Sequence, residues 1–133
     1  MSRRVTAAIA ALLAVSALGL ASAALAGDGG GGGDDDVRVS GRCTGSATSE
    51  LELSSEDGRI EVEFEVDQNR AGVRWQIVLR RQGRVFFTGS RVTRAPSGSF
   101  ELRRVTANGP GTDVIRARAT SPSGQVCRAT ARF

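Results

Sequence analysis

The sequence has no histidine, no lysine and no tyrosine. Lacking histidine, it has lost the commonest general base and the commonest metal ligand. Lacking lysine, a serine nucleophile has no amine base either, so only carboxylates remain to activate it. No Gly-x-Ser-x-Gly elbow occurs, and Ser97-Gly98-Ser99 sits where turn chemistry accounts for it. Two cysteines far apart cannot make a zinc shell without histidine. The expectation is therefore a protein that is not an enzyme, with no catalytic residue, no cofactor and no metal site.

Aromatics are scarce as well. Beyond the first segment they are Phe64, Trp75, Phe86, Phe87, Phe100 and Phe133. A groove for single-stranded nucleic acid needs aromatic stacking platforms, and sugar-binding surfaces need exposed flat rings. The alternation described below sends five of these six inward. Phe86 is the exception, because it shares its face with Arg84, and it is the candidate surface contact. Nucleic acid is accordingly not an expected partner.

The 133-residue chain changes texture twice. Met1–Ala26 reads as a signal peptide: Arg3 and Arg4 lead an apolar, Ala-rich run that ends in Ala24-Leu25-Ala26, a small-x-small cleavage pattern. Position 27 is Gly, not the Cys that a lipoprotein anchor requires. Membrane contact would come only through this leader, were it kept uncleaved. Gly27–Asp36 is a Gly/Asp-rich linker, a composition that favours a flexible, disordered tether. Asp34, Asp35 and Asp36 are adjacent rather than alternating, and no turn Gly and bidentate Glu follow at calcium-loop spacing, so they read as a charged spacer.

From Val37 to Phe133 the period is two. Ile60, Val62, Phe64 and Val66 alternate with Glu61, Glu63, Glu65 and Asp67; then Val73, Trp75, Ile77 and Leu79 continue an apolar series. Such alternation marks strands with one dry face. Turn signals recur at Asp57-Gly58, Gln82-Gly83, Ala95-Pro96-Ser97-Gly98, Asn108-Gly109-Pro110-Gly111 and Ser121-Pro122-Ser123-Gly124. In Arg84–Thr93 the alternation directs Val85 and Phe87 inward. Val37, Val39 and Cys43 share one face of a first strand. The spacing predicts an all-β fold: an immunoglobulin-like, two-sheet antiparallel sandwich of about 7–8 strands, preceded by a signal helix and the linker.

All 18 basic residues are arginine. Without the leader and linker, sixteen arginines face ten acids, a net charge of +6. A solvated, salt-bridged sheet surface would account for this; so would an anionic partner. The row Glu61, Glu63, Glu65 and Asp67 lies along one strand's wet face, where Arg74, Arg80, Arg116 and Arg118 are the expected cross-strand partners. The two cysteines of an exported chain, on its first and last strands, predict one disulfide, Cys43–Cys127.

Arg59-Ile60-Glu61-Val62-Glu63-Phe64-Glu65-Val66-Asp67, Trp75, Ala95-Pro96-Ser97-Gly98-Ser99-Phe100-Glu101, Asn108-Gly109-Pro110-Gly111-Thr112-Asp113 and Gly124-Gln125-Val126-Cys127-Arg128-Ala129 together resemble uncharacterised small secreted proteins found widely in actinobacteria. The resemblance spans essentially all of Val37–Phe133. It implies an exported, disulfide-bonded β domain at the cell envelope or outside the cell, and supplies no ligand. The functional expectation is a non-enzymatic extracellular binding or structural module. Its partner would be an extracellular protein or an anionic envelope polymer. The alternative is an inhibitor of extracellular hydrolases that presents the turn Thr93–Ser99.

Overall fold

A computed structural model describes residues 36–133. The expected signal peptide Met1–Ala26 and all of the expected linker but Asp36 lie outside the described residues. Nine strands follow in order: β1 (Val37–Ser40), β2 (Arg42–Cys43), β3 (Thr48–Glu56), β4 (Arg59–Asp67), β5 (Arg74–Arg81), β6 (Arg84–Val92), β7 (Ser99–Ala107), β8 (Val114–Thr120) and β9 (Val126–Arg132). They form two antiparallel sheets, β1-β3-β4-β7 and β2-β9-β8-β5-β6. The two-sheet sandwich is the expected architecture. The path of the chain has its own feature: β3 and β4 form a hairpin within one sheet, whereas antibody-type domains cross to the other sheet after their second strand.

The core is the dry half of the alternation. Leu51, Leu53, Ile60, Val62, Phe64, Val66, Trp75, Ile77, Leu79, Leu102 and Ile115 are fully buried between the sheets. Each such side chain contributes about 1.5–3 kcal/mol on burial. Trp75 is the largest of them. Its ring tilts against Phe100 at 6.3 Å between centroids, and its indole N–H donates to Gln68 Oε1 at 2.9 Å. The buried ring thus keeps its polar atom satisfied.

The predicted first strand divides in two at Gly41, which raises the count to nine. β1 pairs with β3 in one sheet and β2 pairs with β9 in the other. The crossing is tight: a Cβ on Gly41 would lie 2.2 Å from Ser49 Oγ and 2.8 Å from the Arg128 carbonyl. Only glycine lets the backbone change sheets there. Cys43 and Cys127 form the predicted disulfide. They face each other across the β2–β9 ladder, so the bond staples two neighbouring strands of one sheet rather than joining the two sheets.

The open side of the sandwich, between β6 and β7, departs from simple alternation. Leu79 pairs with Phe87 but Arg80 pairs with Val85, which leaves Phe86 as the extra residue of a β-bulge. The bulge reverses the faces upstream of it. Phe87 turns inward as expected, and its ring lies over Gly89, where an added Cβ would come within 2.6 Å. Val85, expected inward, is instead 52% exposed. Phe86, expected at the surface, is half-buried and packs against the core. Arg104 stands opposite Val62 on the inner face of β7 and lays its guanidinium 4.3 Å from the Phe87 ring centroid. This cation–π contact closes the seam.

Candidate polyanion-binding face

The two outer faces carry opposite charge. Directly paired residues of an antiparallel ladder share a face, so the register assigns each side chain. On the outer face of β1-β3-β4-β7 stand Glu50, Glu52, Glu56, Glu61, Glu63, Glu65, Asp67 and Glu101 against Arg38, Arg59 and Arg103. On the outer face of β2-β9-β8-β5-β6 stand Arg42, Arg74, Arg80, Arg116, Arg118, Arg128 and Arg132, and no strand of that sheet contains an acid.

The acidic face is partly neutralised by its own arginines. Arg38 pairs with Glu50 and Glu52, and Arg103 pairs with Glu61, Glu63 and Glu101. The expected partners of this acidic row, Arg74, Arg80, Arg116 and Arg118, belong to the other sheet and make no ion pair among the described residues. The alternation had placed them correctly on a wet face, but on the wrong side of the molecule. Glu65 is left in the middle. Its row, Glu50–Glu65–Glu101, sets three acids directly opposite one another across three strands. Burial and then the charges of Glu101, Asp67, Glu50 and Glu63 push the Glu65 carboxyl above its ordinary value. Among the described residues no group of three or more His, Cys, Asp or Glu is arranged to hold a metal ion.

The arginine face has no such internal compensation. Arg42, Arg128 and Arg118 are directly opposed across β2, β9 and β8. One row along, Arg80 opposes Arg116. Neighbouring strands lie about 4.8 Å apart, and like charges at directly opposed positions destabilise a sheet. Guanidinium does not relieve the repulsion by deprotonating. Between the rows lies a depression of ≈ 250 Å³ lined by Arg80, Arg116, Arg118, Arg128 and Thr130, with the backbone at Ala117 and Ala129 as its floor. The Thr130 hydroxyl adds a neutral donor. What gathers there is a set of planar forks suited to carboxylate, phosphate or sulfate oxygens.

Comparison with protein-family profiles, curated proteins and solved structures finds no match to this chain. The reading of function therefore rests on the faces themselves.

Among the described residues, the one arginine built into a buried ion pair serves the fold. Arg81 reaches Asp113 at 2.6 Å, and Asp113 is 1% exposed. The other Asp113 oxygen accepts the Gly109 N–H at 2.8 Å, while its backbone exchanges hydrogen bonds with Phe133. This node anchors the β7–β8 loop to the chain's last residue. The turn Thr93–Ser99 is likewise self-contained. Thr93 is buried, accepts the Val73 N–H at 3.0 Å and donates to the Arg70 carbonyl at 2.6 Å. Arg94 and Ser99 form a bridge, and Gly98 donates back to the Arg94 carbonyl. Only Arg94–Ser97 is exposed, which is a closed turn rather than an extended strip of backbone.

Of the residues singled out in the sequence, the two cysteines meet in a bond and Phe86 joins the core margin. The arginine array was not assembled from sequence. The signal for it was present: Arg116 and Arg118 alternate along β8, Arg128 and Arg132 share one face of β9 at an even spacing, and neither strand has an acid.

Proposed function

We propose that the protein is a secreted or envelope-associated binding module without a catalytic role. Its working surface is the outer face of the five-stranded sheet, and its ligand is an anionic polymer of the cell envelope. The observation that carries this reading is the in-register arginine array that no acid of its own sheet neutralises. Like charges stacked in register cost folding stability, and a polyanion turns that cost into affinity by releasing its own condensed counterions. Export is supported by the leader pattern and by the Cys43–Cys127 bond. A protein partner adding a strand to this five-stranded sheet would need a regular free edge there, and the edge strand β2 is only two residues long. The edge strand β6 is interrupted by its bulge, a feature that discourages pairing.

The test is binding of the purified protein to polyphosphate and to polyglutamate across a salt series. Affinity falls as salt rises. The variant Arg116→Gln/Arg118→Gln/Arg128→Gln lowers the slope of log affinity against log salt by about 3. An Arg38→Gln/Arg59→Gln control, on the acidic face, leaves the slope unchanged. Affinity that survives molar salt, or an unaltered slope in the triple variant, overturns the proposal.

A further inference from the structure

The acidic face is not used by that reading. Its central row matches the arginine face in a specific way. Glu50–Glu65–Glu101 runs across β3-β4-β7, and Arg42–Arg128–Arg118 runs across β2-β9-β8. Each ladder is three adjacent strands wide. Each repeats at the inter-strand spacing of about 4.8 Å. They have opposite sign and stand on opposite outer faces of one sandwich. Separately, each is a row of directly opposed like charges that weakens its own sheet. Glu65, at the centre of the acidic row, has no ion pair among the described residues. The face around it keeps eight acids against three arginines.

We infer that copies of this chain stack front to back, with the acidic ladder of one molecule seated on the arginine ladder of the next. One contact relieves both repulsions, and sheets packed face to face meet at about 10 Å, within reach of Glu and Arg side chains from the two sides. The contact is heterologous: it joins two different surfaces. Since those surfaces lie on opposite sides of the molecule, each added copy leaves one of each free, and the assembly stays open-ended. This inference is independent of the envelope-polymer reading. The two meet at the arginine face, so a polyanion competes with stacking.

Sedimentation velocity of the purified protein tests it. At about 10 mM salt, where the Debye length is about 30 Å, the weight-average sedimentation coefficient rises with protein concentration. At about 0.5 M salt the protein sediments as a monomer at every concentration. Glu50→Gln/Glu65→Gln/Glu101→Gln and Arg42→Gln/Arg118→Gln/Arg128→Gln, each alone, stay monomeric at low salt. Mixed in equal amounts they form a dimer and nothing larger, because only one acidic face and one arginine face remain intact. Circular dichroism of each variant establishes that its strands are retained. A wild-type protein monomeric at low salt overturns the inference. So does a single-face variant that still assembles, or a mixture of folded variants that stays monomeric.

Discussion

At the residue scale, two side chains show how position converts one chemistry into opposite effects. Glu65 and Asp113 are both carboxylates. Asp113 is enclosed, but Arg81 and the Gly109 N–H meet its two oxygens. Replacing it with Ala leaves the Arg81 charge and the loop amide without partners. We expect a loss of about 3 kcal/mol in denaturant unfolding, at the low end for a buried pair because Arg81 keeps 26% exposure. Glu65 is the reverse case. Its carboxyl is held above the ordinary value by partial burial and by four acidic neighbours, so the folded state holds that proton more tightly than the unfolded chain does. Between the unfolded and folded values, stability falls as pH rises, and above both the penalty is complete. Glu65→Gln therefore raises the melting temperature at pH 7, and the gain shrinks as pH is lowered through the carboxylate range. A gain that grows on acidification contradicts this. The position of Glu65 on a wet face was legible from alternation alone. Its like-charged neighbours Glu50 and Glu101 were not, since they come from strands whose pairing depends on the fold.

At the scale of elements, the strands were legible because period two and glycine-marked turns are local signals. What escaped was each place where a tertiary demand broke the period. The split of the first strand depends on Gly41 passing between Ser49 and the Arg128 backbone, the second of which is distant in sequence. Gly41→Ala is expected to cost about 1–3 kcal/mol through that overlap, read as a lowered denaturation midpoint. The β6 bulge is similar. One inserted residue, Phe86, exchanged the predicted roles of Val85 and Phe86, and nothing in the run Arg84–Val92 announces it. The cysteine pairing needed no fold, because two cysteines allow one intramolecular bond. Replacing both with Ala removes the staple between β2 and β9 and lowers stability by about 2–5 kcal/mol. The short β2, only two residues long, is expected to lose its amide exchange protection first.

At the scale of the whole molecule, net charge was legible and its distribution was not. A domain of +6 with many acids looks like an evenly salted surface. The sheet order instead collects the acids on one face and leaves seven arginines alone on the other. Sheet membership cannot be read from a strand's own residues, so the expected pairing of Arg80, Arg116 and Arg118 with the acidic row was reasonable in sequence and wrong in space. The separation gives the molecule two distinct electrostatic surfaces on a scaffold with no histidine or lysine for catalysis. The measurement that bears on this most directly is a titration of the isotopically labelled Glu50→Gln/Glu65→Gln/Glu101→Gln protein, whose acidic face cannot stack, with a short polyphosphate, followed by amide chemical shifts. Our account predicts that the shifts concentrate in β2, β5, β8 and β9, centred on Arg116, Arg118 and Arg128, while β3 and β4 stay still. Saturable shifts confined to the four-stranded sheet or to the turns, or no shifts at low salt, would contradict it.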